Sequence, residues 1–413
     1  MAETGQQVER PNLKQAQKKI TAGASYRKIL AAAEEGKPIC VSCAGVPSEV
    51  LFAMGVYPIY PESLSAITSG IGKAEEYFDE ARNRALSSSI CSYTRCGLGI
   101  TWTNKCGLGP LPEADLFLSD VSLCCLHVTW WTHLEDQKKK PTFFLDTPAN
   151  DDPTDPDLIR FYEGQIHDLV KFIEENTDCR LDMDKLKETV TYSDLAGHYW
   201  RQIMELRKNR PSAVSFRNLA GQILPLVTAL GDKDTSDFYE ALFYQYQEDI
   251  KEGKTPTKTG EKFRLIWDGI PIWHNLRVIP YFEDRGANFV WESYTSLNWG
   301  NKTKTGRLDI EHPFQTLAEK YINNWTNRSI ESRFTFFDEA IREYNVDGLV
   351  MFANRSCRPM SLGQHQLIEM ISKRYDLPVL FLEGDQADAE GFSWDDVRNR
   401  IDGFLEILAA RKK

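Results

Sequence analysis

The chain has 413 residues, a net charge of −11 and 42% hydrophobic residues, enough for roughly two or three conventional domains. An acidic balance argues against nucleic acid as a main partner, because neutralising phosphates needs a basic face. The N-terminus lacks an apolar signal region, and no run approaches the ~18 apolar residues of a membrane helix; the reading is a cytoplasmic protein without a membrane partner.

From the N-terminus, Pro38–Ala44 is a short apolar run and reads as a buried strand. Ser48–Met54 follows as a helix closed by Gly55, and Tyr57–Tyr60 as a second strand. A long helix is expected over Ile71–Ser87, where Tyr77, Phe78, Ala81 and Ala85 recur at helical spacing. Ala114–Ser119 is a strand, a helix runs from Cys125 to Gln137, and Thr142–Leu145 is the next strand. Strands alternating with helices imply a parallel sheet built from βαβ units. The polar stretch at Asp151 opens a helical connector with apolar periodicity over 158–175, 183–208, 214–230 and 234–252. From Phe263 the alternation returns, with strands ending near Trp267, Glu292, Phe352 and Glu383 and helices over 313–322, 332–343, 363–373 and 394–410. The expected architecture is α/β: two Rossmann- or flavodoxin-like parallel-sheet domains, 1–150 and 259–413, joined by a helical connector over 151–258.

Nine cysteines are present, and seven lie between Cys40 and Cys125. In open parallel sheets ligands bind beyond the carboxyl ends of the strands. Cys43, Cys124 and Cys357 fall at such ends and could converge; the alternative is three buried loop cysteines that never meet. The segment 90–116 holds Cys91, Cys96 and Cys106 among Gly97, Gly99, Gly107 and Gly109. Glycines there would let backbone N–H groups approach a cluster sulfide, or simply form a flexible turn. Cys124 and Cys125 precede a helix, whose N-terminus favours thiolate; only one of the two can face a given site. Trp130 and Trp131 read as packing residues and His365 as a helix residue. Arg355 and Arg358 flank Cys357, either stabilising its thiolate or forming a surface pair. Glu62, after a strand and a proline, is a candidate acid/base with a raised pKa, or an ordinary helix-capping acid. No phosphate-binding glycine motif supports nicotinamide or ATP binding by this chain, and no G-x-S-x-G elbow is present.

At the segments VPSEVLFAMGVYPIYPES, ICSYTRCGLG, EADLFLSDVSLCC, PTFFLDTP, IWDGIPIW, VDGLVMFANRSCRPMSLGQ and LPVLFLEGDQAD, the chain resembles the 2-hydroxyacyl-CoA dehydratase and benzoyl-CoA reductase family. The resemblance covers nearly the whole chain and implies two Rossmann-like halves. It also implies a [4Fe–4S] cluster held by Cys91, Cys124 and Cys357, with Cys125 as the fallback for the second ligand. Glu62 is carried across as the acid/base residue. A paralogous iron–sulfur subunit and an ATP-dependent iron–sulfur activator are the implied partners, and an acyl-CoA the implied substrate. The chemistry is one-electron reduction of a thioester, either toward an aromatic ring or toward loss of a 2-hydroxyl group. Dehydratase catalytic subunits often carry a serine where this chain has Ala44, with Ser42 a substitute only in another register; this favours reduction over dehydration, or places this chain as the subunit that does not bind substrate. Cys43 and Cys106 match cysteines of double-cubane relatives, which leaves an electron-transfer protein as a third reading, but no further cysteines stand near Ser293 to complete that set.

Overall fold

The computed structural model describes residues 10–297 and 299–412. Its strands, in chain order, are β1 (Ile39–Ser42), β2 (Tyr57–Ile59), β3 (Lys105–Cys106), β4 (Gly109–Pro110), β5 (Leu116–Asp120), β6 (Thr142–Leu145), β7 (Phe263–Asp268), β8 (Ala287–Glu292), β9 (Gly348–Asn354) and β10 (Val379–Gly384). One parallel sheet runs β2-β1-β5-β6 and a second runs β10-β9-β7-β8, with β3 and β4 forming a small antiparallel hairpin. Every residue of β1, β5, β7 and β8 is buried. That is why these segments read as continuous apolar runs rather than as alternating ones.

The two sheets share one strand order. In each, the second strand lies on one side of the first, and the third and fourth lie on the other. The chain therefore reverses its direction of travel between β1 and β5, and again between β7 and β9. Such switch points open a crevice outside the carboxyl ends of the strands. The first crevice is framed by the loops after Ser42 and Asp120, the second by those after Asp268 and Asn354.

The helices depart from expectation in places. The helix expected over 71–87 is the shorter Glu75–Asn83, and an unanticipated helix, Pro61–Gly70, precedes it. Pro61 sets the start of this preceding helix, and Gly72, at φ 73°, separates the two. The helix Ser92–Thr103 replaces an expected glycine-rich turn. Its glycines serve packing: a Cβ on Gly97 would overlap the Trp130 ring, and one on Gly99 would lie 2.5 Å from the Tyr77 carbonyl oxygen. Two short helices, Phe216–Gln222 and Leu224–Thr228, stand where one was expected, with Pro225 at the start of the second. Two N-terminal helices, Leu13–Ile20 and Ala22–Glu34, were not anticipated; Thr21 caps the second by accepting from the Ala24 amide.

The long helices Pro156–Asn176, Met183–Leu206 and Lys233–Lys251 lie in chain between the sheets. Trp200 and Tyr239 are fully buried in a core shared with Ala16 and Ile20. The helix Pro313–Ile322 packs back on the first sheet, placing Leu317 and Ile322 in the core with Leu116 and Leu118. A buried ion pair anchors it: Lys320 Nζ lies 2.6 Å from Glu49 Oε1, and Ser193 and Tyr321 also donate to that carboxylate. Across the second sheet, the buried Arg207 guanidinium grips both oxygens of Glu292. No helix among the described residues is long and apolar enough to cross a membrane.

Candidate functional site

A cavity of about 580 Å³ lies where the two crevices face each other, within the size range of small-molecule sites. Cys91, Cys124 and Cys357 all line it. Each is the N-cap residue of a helix: Cys91 of Ser92–Thr103, Cys124 of Cys125–Lys138, and Cys357 of the single turn Arg358–Ser361. The sulfurs therefore face helix-end N–H groups that lack helical partners. The Leu126 amide donates to Cys124 Sγ at 3.4 Å. The amides of Tyr93 and Thr94 favour the Cys91 anion, and that of Met360 the Cys357 anion.

The loops that carry these cysteines are tied across the gap between the sheets. Gln386 Nε2 donates to Cys91 Sγ at 3.5 Å and lies 3.4 Å from Ser356 Oγ, next to Cys357. Ser356 Oγ also accepts from the Ser92 amide and donates to Asp385. Arg95, on the helix that Cys91 caps, pairs with Asp388 at 2.8 Å in a buried salt bridge. Ser69 Oγ donates to the Ala387 carbonyl at 2.6 Å.

Burial and the neighbouring Cys124 push the Cys91 thiol up to about 12. Burial, then Cys91 and Cys124, push Cys357 well up, and burial raises Cys124. Thiols that raise one another in this way become thiolates together only beside a cation, which is the chemistry of an iron–sulfur ligand set. Among the described residues, no three His, Cys, Asp or Glu side chains are gathered closely enough to hold a single metal ion. The ligands of one zinc ion, on bonds of roughly 2.3 Å, crowd together; cysteines bound to different irons of a cluster stand further apart. Three cysteines in one cavity wall are the donor type that iron–sulfur clusters use.

The other cysteines lie elsewhere. Cys43, grouped with Cys124 and Cys357 by strand-end position alone, turns into the first core, where its sulfur accepts from the Asp120 amide at 3.0 Å. The loop after β1 does border the cavity, but through Ala44 and Gly45. Cys40 and Cys43 stand in a Cys-x-x-Cys spacing along β1, yet both are fully buried and neither lines the cavity. Cys125 is exposed and away from the cavity. Cys96 and Cys106 are core residues beside Tyr77 and Phe78. Ser42 is buried with its hydroxyl on the Cys43 carbonyl, outside the cavity wall. Arg355 pairs with Glu383 on the surface, and neither it nor Arg358 lines the cavity. His365 is exposed and stacks on Phe381.

Glu62 sits in the first turn of the helix Pro61–Gly70 and faces the cavity. Its Oε1 lies 2.8 Å from His127 Nε2, and His127 Nδ1 lies 3.0 Å from the Asp120 carbonyl oxygen. Burial alone would depress His127, but the Glu62 carboxylate and hydrogen bonds with Cys43 and Glu62 hold it well above the usual imidazole range. The sequence reading missed His127. It lies three positions after Cys124, which aligns the two only once a helix is known to start at Cys125. Trp130 borders the cavity and its buried indole N–H has no partner among the described residues. Lys302 borders it too; burial and the Lys320 and Arg328 cations push its ammonium down to about 7.

Two switch-point crevices, cysteine-lined and holding a carboxylate–imidazole pair, define an α/β protein with a cavity between parallel sheets. The family model described as 2-hydroxyglutaryl-CoA dehydratase, D-component, matches residues 43–408, and the chain belongs to that family. It is 28% identical to a benzoyl-CoA reductase subunit of Thauera aromatica, over 100% of this chain and 98% of the relative. It is 26% identical to the (R)-phenyllactyl-CoA dehydratase alpha subunit of Clostridium sporogenes, over 93% of each chain. It is 25% identical to the (R)-2-hydroxyisocaproyl-CoA dehydratase alpha subunit of Clostridioides difficile, over 94% of each. The relatives are enzyme subunits of the lyase and oxidoreductase classes.

Proposed function

We propose that this chain is the iron–sulfur subunit of an enzyme that reduces an aromatic acyl-CoA. The observation that carries the reading is the arrival of Cys91, Cys124 and Cys357, from three distant segments, in the wall of one cavity that also holds Glu62. These cysteines would hold a [4Fe–4S] cluster, which supplies single low-potential electrons when bound. Glu62 and His127 hold a proton at the cavity wall for the reduced acyl group. Ile67, Leu226 and Trp130 line the cavity with apolar surface and help to keep water from it. Each sheet with its helices is read as its own domain, and the helices over 151–258 as the connector. Relatives that are each named as one subunit of a larger enzyme support a paralogous partner. ATP use is read as belonging to a separate activator protein, since this chain carries no phosphate-binding glycine motif. Nine unpaired cysteines suit the reducing cytoplasm.

Dehydration of a 2-hydroxyacyl-CoA is the second reading, favoured by the two dehydratase relatives at 26% and 25% identity. Ala44 weighs against it, since this residue of the cavity wall offers no hydroxyl to a 2-hydroxyl group. A pure electron carrier would not need an acyl-sized cavity beside its thiols.

Anaerobic purification with iron and sulfide counting tests the cluster. Roughly four irons are expected per chain, lost in Cys357→Ala. A colourless, iron-free chain that is folded and active would overturn the reading. Assays with benzoyl-CoA and a panel of 2-hydroxyacyl-CoA thioesters, with partner and activator present, separate reduction from dehydration.

A further inference from the structure

Lys302 lies in an irregular stretch between β8 and the helix Pro313–Ile322 and lines the cavity. The charged groups that act on it are Lys320, Arg328 and Asp120. Each of these is already engaged. Lys320 pairs with Glu49 at 2.6 Å, and Arg328 Nη2 donates to Asn323 Oδ1 at 2.6 Å. Asp120 accepts from the Ser122 amide and hydroxyl, from Thr147 and from Tyr162. Among the described residues no acceptor lies within hydrogen-bonding distance of the Lys302 ammonium, and no carboxylate forms a salt bridge with it. The thiols feel a different set of charges: each other, Glu62, His127 and Asp385. Lys302 is thus not among the charges that chiefly shift the thiols.

Lys302 is half-buried in the cavity wall, and an ammonium shielded from water without a counter-ion is costly, because burial of a charge is tolerated when it is paired. A ligand that brings an anion removes that cost. Resting on the acyl-CoA reading above, we propose that Lys302 is the anion-pairing residue of this cavity, receiving a negatively charged group of the bound thioester. Two groups of an acyl-CoA carry that chemistry: a carboxylate at the far end of the acyl chain, and a phosphate of the coenzyme. Because Lys302 is not among the charges that chiefly shift the thiols, it acts on binding and selectivity rather than on the reacting carbon. Its depressed proton affinity accords with this, since the free site disfavours the cation that the ligand would stabilise.

The test is anaerobic equilibrium binding to the full chain and to Lys302→Met and Lys302→Gln, with thermal unfolding of each as the folding control. The probes are CoA, glutaryl-CoA, its uncharged length match pentanoyl-CoA, and S-pentanoyl pantetheine, which has no phosphate. Loss of a charge-assisted hydrogen bond weakens binding by roughly tenfold or more. If the anion is an acyl carboxylate, only glutaryl-CoA weakens by that factor. If it is a coenzyme phosphate, the three CoA compounds weaken alike and the pantetheine thioester does not. Unchanged affinity for every probe in both folded variants would overturn the proposal while leaving the acyl-CoA reading intact. Equal weakening of all four, the pantetheine thioester included, would also overturn it, as a packing effect. Should the wild-type chain bind neither these thioesters nor benzoyl-CoA, the acyl-CoA reading falls and takes this proposal with it.

Discussion

His127 Nε2 lies 2.8 Å from Glu62 Oε1 while its Nδ1 lies 3.0 Å from the carbonyl oxygen of Asp120. A carbonyl oxygen only accepts, so Nδ1 carries a proton. Nε2 and the carboxylate then share one further proton between them, on either atom. Glu62→Gln removes the carboxylate that takes part in this exchange. Turnover is expected to fall by about 10²–10⁴-fold, with iron content and unfolding temperature unchanged. Steady-state rates and iron counts on the same preparation check this; loss of iron together with activity would instead make Glu62 a structural support of the metal site.

Cys124 and Cys125 are adjacent but face opposite ways. Cys124→Ser is expected to cost bound iron, whereas Cys125→Ser should retain the wild-type iron count and visible absorbance. The reverse pattern would exchange their roles.

Lys302 also leaves a signature in the free protein. Its folded-state pKa, about 7, is below its ordinary value of 10.5. Between those values the unfolded chain binds the extra proton, so this residue's contribution to stability rises with pH. The buried thiols oppose that trend at high pH, because their pKa values are raised. The difference between wild type and Lys302→Met isolates the lysine: wild type should gain on the variant as pH climbs above 7. Denaturant unfolding at a series of pH values reads it, and a pH-independent difference would count against a lowered proton affinity at Lys302.

Glu49 is fully buried, and Lys320 counters the effect of that burial, holding its carboxyl below the ordinary range. Removing one partner strands the other charge, at a cost of about 3–5 kcal/mol. Lys320→Met alone is therefore expected to lose stability on that scale, and the double variant Glu49→Leu, Lys320→Met to regain much of it. Urea midpoints of the single and double variants decide the point.

Gly99→Ala places a Cβ 2.5 Å from the Tyr77 carbonyl oxygen, which belongs to backbone and cannot swing away. Overpacking of this kind costs about 1–3 kcal/mol. The helix it shifts is the one capped by Cys91, so iron retention should fall along with the unfolding midpoint.

Much of the fold was legible. Buried parallel strands announce themselves as apolar runs, and β6 and the helix Pro313–Ile322 match expectation to the residue. The helix Ser92–Thr103 was not legible, because Gly97 and Gly99 weaken its pattern and are explained only by contacts with Trp130 and Tyr77. Strand ends located the loops that bear Cys124 and Cys357, but not which way a side chain turns, so Cys43 looked equivalent to them and is not. The resemblance, rather than position, pointed to Cys91. His127 meets Glu62 across 65 residues of chain, and nothing in the sequence marks Lys302, within an irregular segment, as part of the cavity wall.

The two sheets repeat one strand order and turn their crevices toward each other, yet they contribute unequally. Cys91 and Cys124 come from the first sheet's segment and Cys357 from the second's. The spacing of the third sulfur from the other two is thus a measure of how tightly the halves are drawn together, with Arg95 and Asp388 acting as the clasp. If the proposed cluster is held there, its occupancy reports on closure, and a substitution at Asp388 that loosens the clasp should register first as lost colour.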